Sequence, residues 1–118
     1  FLKNDISQSV YHYEKAYDLD PWNESYVTSL AYLNYLQGNY DKAIGFYKRQ
    51  LVLTFEPESV FLGLSRCYGQ QGKAKEAVAE LEKIKHYYIM AFVNTDSDYD
   101  SIRKSKEFKK FVKSLKTN

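Results

Sequence analysis

A chain of 118 residues has room for one domain of ordinary size. Its 17 basic and 15 acidic side chains leave a formal net charge of +2, unlike a dedicated nucleic-acid binder, and 44% hydrophobic content excludes a disordered chain. One cysteine, Cys67, excludes an intramolecular disulfide and a cysteine-built zinc site, and no apolar run approaches the roughly 20 residues that cross a bilayer.

The chain begins at Phe1 inside a helical pattern, so it is expected to be a piece of a longer protein, with its compartment left open. A first helix is expected from about Asp5 to Leu19, with Ile6, Val10, Tyr13 and Tyr17 on its apolar face. A second runs from about Asn23 to Leu36. Val27, Leu30, Ala31 and Leu33 recur at spacings of three and four, Asp20-Pro21 starts it, and Gly38 ends it with a left-handed cap. A third, about Tyr40 to Leu53, carries Ala43, Ile44, Tyr47 and Leu51 on one face. After the break around Pro57, helices are expected from about Ser59 to Gln70 and from Ala74 to His86, divided at Gly72. The apolar stretch 86–93 is expected to extend and bury the last of these. A closing helix follows, with Phe108, Val112 and Leu115 packed inward out of a stripe that also holds Ile102 and Phe111.

These elements repeat. Shifted by 34 residues, Glu24-Ser25 falls on Glu58-Ser59, Leu30 on Leu64, Ala31 on Ser65, Gln37-Gly38 on Gln71-Gly72, Ala43 on Ala77, Ile44 on Val78 and Tyr47 on Leu81. Shifted back, Tyr47, Ile44 and Arg49 fall on Tyr13, Val10 and Lys15. Alanine at 43 and 77 lets two antiparallel helices cross closely. One such hairpin buries a single face, so neighbours must stack.

The pattern resembles the tetratricopeptide repeat family. The residues that carry the resemblance are Leu19-Asp20-Pro21, Leu30-Ala31, Gly38-Asn39-Tyr40, Ala43, Tyr47, Leu64, Tyr68, Gly72, Ala77 and Leu81, over roughly residues 4–86. Two positions depart from it. Asn34 stands where the family usually has an aromatic, and Pro57 lies two residues later than the register of Pro21 predicts. The resemblance implies an all-α fold, with antiparallel helical hairpins stacked as a right-handed superhelix, an α-solenoid whose concave side is lined by the first helix of each repeat. It divides the chain into a repeat domain over 1–94, with a partial repeat at 4–21 and repeats at 23–57 and 58–89, and a capping segment over 95–118. That segment is similar to the one closing bacterial tetratricopeptide proteins, where acidic residues precede an Ile/Leu-Arg pair and a Phe-containing helix.

The function implied is a non-catalytic scaffold that binds a protein partner, as a peptide or helix, in the concave groove. The residues expected to line it are Thr28, Tyr32 and Tyr35, with Ser25, on one repeat, and Ser59, Leu62, Arg66 and Gln70 on the next. Tyrosine and arginine suit an interface, joining apolar area to directed hydrogen bonds. Packing between neighbouring repeats is the other reading of the two tyrosines. The lysine-asparagine-arginine clamp by which some members grip chaperone tails is missing, since Thr28, Tyr32, Ser59 and Gly63 hold its places. The alternative function is a regulatory or substrate-recruiting appendage of an enzyme whose catalytic domain lies outside these residues. The first helix lacks a first-helix partner of its own, so self-association through this incomplete repeat is expected.

No pattern points to catalysis, a metal or a cofactor. Phosphate-binding glycine loops are absent, His12 and His86 have no metal-spaced companion, and Cys67 reads as a buried structural thiol. Asp96, Asp98, Asp100 and Glu107 have the spacing of a calcium loop, but Ser101 stands where glycine is needed and Lys104 takes a ligand position; helix-start aspartates explain the cluster more simply. Residues 103–118 hold seven basic side chains and the single acid Glu107, a local charge of +6. A solvated face and an anionic membrane or nucleic-acid contact are both open for it, with no nucleic acid expected because no aromatic or arginine cluster interleaves the lysines.

Overall fold

The computed structural model describes residues 3–85, Ile89 and 92–116, and among them every regular element is helical. The order is α1 (Lys3–Leu19), α2 (Glu24–Leu36), α3 (Tyr40–Leu53), α4 (Glu58–Gln70), α5 (Ala74–Leu81), a 3-10 segment (Ser97–Ile102) and α6 (Lys106–Lys116). The chain divides into two compact units, Phe1–Val60 and Phe61–Asn118.

In the first unit α2 packs against both α1 and α3. Val27, Leu30, Ala31, Ala43 and Ile44 are buried, as the three-four spacing requires. Burying one such leucine or isoleucine stabilises by about 1.5–3 kcal/mol. Aromatic rings fill the seam with α1: Tyr13 lies 6.3 Å from Tyr26, and Tyr17 meets Phe46 edge-on at 5.5 Å. Arg49 donates to the Pro21 carbonyl at 2.9 and 3.1 Å and lies 4.6 Å over the Trp22 ring, which pins the α1–α2 turn to α3. Pro21 lies in this turn and not in the first turn of α2. The helix is capped by Asn23, whose Oδ1 accepts from the Tyr26 N–H at 3.3 Å. Pro57, by contrast, directly precedes α4. Asn34 is buried where an aromatic is usual; its Nδ2 donates to the Leu30 carbonyl at 2.8 Å inside its own helix, and its Oδ1 accepts no hydrogen bond among the described residues.

Both hairpins close in the same way. Gly38 and Gly72 adopt φ of +78° and +72°, a left-handed cap that a side chain would strain. The next residue then donates back five positions: Asn39 N–H to the Asn34 carbonyl at 2.9 Å, Lys73 N–H to the Tyr68 carbonyl at 2.9 Å. Glycine placement thus sets the turn into α3 and into α5.

The second unit has its own core. Ala77, Val78 and Leu81 of α5 meet Ile84, Ile89, Val93, Tyr99 and Ile102, and Phe108, Phe111 and Leu115 of α6, with Phe61, Leu62 and Tyr68 of α4 at its edge. The closing segment therefore shares a core with α5. Phe111 is turned inward, and Val112 is half-buried at the edge of the core. α5 ends at Leu81, five residues before the expected end. The Lys83 and Ile84 N–H groups bond three residues back, to Glu80 and Leu81, and this tighter winding turns Ile84 into the core. His86 to Tyr88, Met90 and Ala91, part of the stretch expected to extend this helix, lie outside the described residues.

Candidate functional site

Two helix faces carry the residues expected to bind. On α2, Val27, Leu30, Ala31 and Asn34 turn inward, so Ser25, Thr28, Tyr32 and Tyr35 fall on the outer face by helical spacing. Ser25 and Thr28 are exposed. Tyr32 is 50% exposed, and its ring stacks on Tyr35 at 6.0 Å and 27°; Tyr35 in turn leans on Tyr40 at 6.2 Å. The stacked pair forms an aromatic ledge on α2.

On α4 the equivalent face has an occupant from its own unit. Arg66 Nε donates to Asp96 Oδ2 at 2.9 Å and lies 3.5 Å from Asp98 Oδ2. Gln70 Nε2 donates to Asp98 Oδ1 at 2.6 Å. The Ser65 hydroxyl donates to the Leu62 carbonyl and shares a 2.7 Å hydrogen bond with the Tyr99 hydroxyl. Ser101 Oγ donates to the Gly69 carbonyl. Gly69 is the point of closest approach: a Cβ there would stand 2.5 Å from the Asp98 carbonyl oxygen and 3.1 Å from the Tyr99 ring. Of the expected α4 residues, Arg66 and Gln70 thus hold the closing segment, Leu62 is half-buried against the core of its unit, and Ser59 is exposed at the start of the helix.

The segment is built to be held. The Asp96 side chain caps the 3-10 turn by accepting from the Asp98 N–H at 3.0 Å. Arg103 donates to the carbonyls of Val93 and Asp96 and to Asp100 Oδ1, tying the segment's two ends together. Tyr99 is fully buried, with Phe92 at 6.5 Å and Phe108 at 5.6 Å stacked on its ring. Burial opposes ionisation of Asp96, but the Asp98 N–H and the Arg66 guanidinium outweigh it, and the carboxyl titrates below its ordinary value. Burial raises the Tyr99 hydroxyl well above its usual range, and the Ser65 hydrogen bond only partly offsets this. The buried Cys67 thiol is pushed up to about 12, first by burial and then by the Asp98 charge, so it stays protonated and unreactive at neutral pH.

The three aspartates with calcium-loop spacing are therefore committed to Arg66, Gln70, Arg103 and the backbone. Among the described residues no cluster of three or more metal-ligating side chains converges. Local pattern could not reveal the Ser65–Tyr99, Arg66–Asp96 and Gln70–Asp98 pairs. The signal that was present is a difference between repeats: Ser65 stands for Ala31, and Gly69 for Tyr35.

No helix among the described residues is long and apolar enough to cross a membrane. The family model described as "Anaphase-promoting complex, cyclosome, subunit 3" matches residues 3–84, covering α1 to α5. The hairpins at 34-residue spacing, the paired left-handed glycines and this match together establish that the chain belongs to this tetratricopeptide-type repeat family, whose members serve as protein–protein interaction modules.

Proposed function

We propose that the chain binds an extended peptide or a helix of a protein partner on the outer face of α2, with Tyr32 and Tyr35 as anchors and Thr28 and Ser25 as polar contacts. The observation that carries this reading is the half-exposed Tyr32 ring stacked on the partly buried Tyr35. Two prestacked rings lose little side-chain freedom on binding, and tyrosine is enriched where interfaces gain most energy. On α4, by contrast, Arg66, which matches Tyr32, and Gln70, which matches Leu36, already hold Asp96 and Asp98.

Affinity capture from a cell extract, with the wild-type chain beside Tyr32→Ala/Tyr35→Ala, tests the reading. Proteins retained by the wild type and lost by the double variant are expected, with unfolding stability changed by no more than about 1 kcal/mol because the rings lie outside the core. Recovery of the same proteins by both would remove the α2 face from consideration. Self-association through α1, where the Tyr11 ring is 57% exposed, belongs to the same proposal, and sedimentation showing a monomer at high concentration would end it.

A further inference from the structure

We infer that the lysine face of α6 is a second docking surface, one that takes an acidic polypeptide segment carrying an apolar side chain. Lys106, Lys109, Lys110, Lys113 and Lys116 fall within an arc of about 120° when α6 is drawn at 100° per residue, opposite the buried Phe108, Phe111 and Leu115. None of the five pairs with a carboxylate among the described residues. Beside them lies an open cleft of about 390 Å³, lined by Phe108 and Val112 together with Lys109, Lys113, Lys116, Arg103 and Asn94. Among the described residues no carboxylate borders it. Arg103 is spent on Asp100 and two carbonyls, so the free charge belongs to the lysines.

Chemistry selects the occupant. An amphipathic helix enters a lipid surface by its apolar face, and the apolar face of α6 is closed into the core. Single-stranded nucleic acid needs exposed rings or free arginines for its bases, and this surface has neither. A small anion needs converging donors, whereas these lysines are strung along about 15 Å of helix. A row of point charges beside an apolar cleft fits an extended acidic chain whose charges follow the lysines while one apolar side chain enters between Phe108 and Val112. Hydrated lysines steer and weakly hold such a chain, so the contact is sensitive to salt.

The test uses the full chain and fluorescence anisotropy with a labelled glutamate-rich peptide bearing one phenylalanine. Binding that falls about tenfold in Lys109→Glu/Lys113→Glu/Lys116→Glu is expected, with a change of no more than about twofold in the charge-matched control Lys48→Glu/Lys73→Glu/Lys85→Glu. Replacing the peptide's phenylalanine with glycine is expected to weaken binding about threefold or more, and Val112→Ser is expected to remove that difference. Circular dichroism melts confirm that the variants fold. Absent wild-type binding, equal losses in the two triple variants, or tighter binding to phosphatidylserine vesicles or a single-stranded oligonucleotide than to the peptide would each overturn the inference.

Discussion

α2 and α4 are equal in length, start on the same Glu-Ser pair, and end on the same left-handed glycine and backbone bonds. Their outer faces nonetheless differ in kind: α2 shows a stacked tyrosine pair, and α4 is covered by the closing segment. Four exchanges at matching positions account for this. Ala31 becomes Ser65, which bonds the Tyr99 hydroxyl; Tyr32 becomes Arg66, which binds Asp96; Tyr35 becomes Gly69, which admits the Asp98 backbone; and Leu36 becomes Gln70, which binds Asp98. The hairpin scaffold is set by caps and small residues, and the fate of its face by side chains that the scaffold does not need.

The largest effect that would break this contrast is at Tyr99. Truncation to alanine removes a fully buried ring and is expected to cost about 3–5 kcal/mol in denaturant unfolding. A loss below about 1 kcal/mol would mean that the segment is only loosely held. Gly69→Ala should follow, at about 1–3 kcal/mol, because the added methyl meets backbone. Its control is Gly45→Ala in α3, where nothing lies within 4 Å of the added carbon; that change should stabilise the helix by about 0.5–1 kcal/mol. Equal effects at 45 and 69 would refute the close approach.

Acid provides the smallest and sharpest test. Asp96 titrates below its ordinary 3.8 in the folded chain, so its contribution is complete above that value and is lost as pH falls toward the folded one. Arg66→Ala removes one cause of the depression. Stability against pH should therefore fall less steeply in the variant than in the wild type below about pH 4. Parallel profiles would separate Arg66 from Asp96. At the alkaline end the raised Cys67 and Tyr99 values act in the opposite direction: their stabilisation is whole at neutral pH and fades as pH climbs above their unfolded values.

How much of this was legible before any coordinates is decided residue by residue. Gly38, Gly72, Ala43 and Ala77 announce the hairpins because caps and close crossings are local events with a fixed spacing. The buried set of α2 and the inward Phe108 and Leu115 of α6 follow from helical periodicity, whereas the choice of Phe111 over Val112 does not. The end of α5 was not legible, since Glu82 to Lys85 continue a helical pattern and only the core's demand on Ile84 tightens the chain there. The occupant of α4 was hidden for a deeper reason. Arg66 and Asp96 stand 30 residues apart, and nothing periodic connects an arginine on a helix to an aspartate in a later turn. Exposed arginine and arginine awaiting a carboxylate look alike in a string of letters. The α2 ledge was readable as a candidate because tyrosines at 32 and 35 share a helix face whatever lies beyond them.

The order of synthesis gives the α4 clamp one more consequence. Arg66 leaves the ribosome 30 residues ahead of Asp96, an interval of roughly two to six seconds at about 5–20 residues per second. Throughout that delay the guanidinium, the Gln70 amide and the bare backbone at Gly69 face solvent or whatever passes by. A nascent chain thus has a brief window in which α4 is as open as α2, and translation itself shuts it.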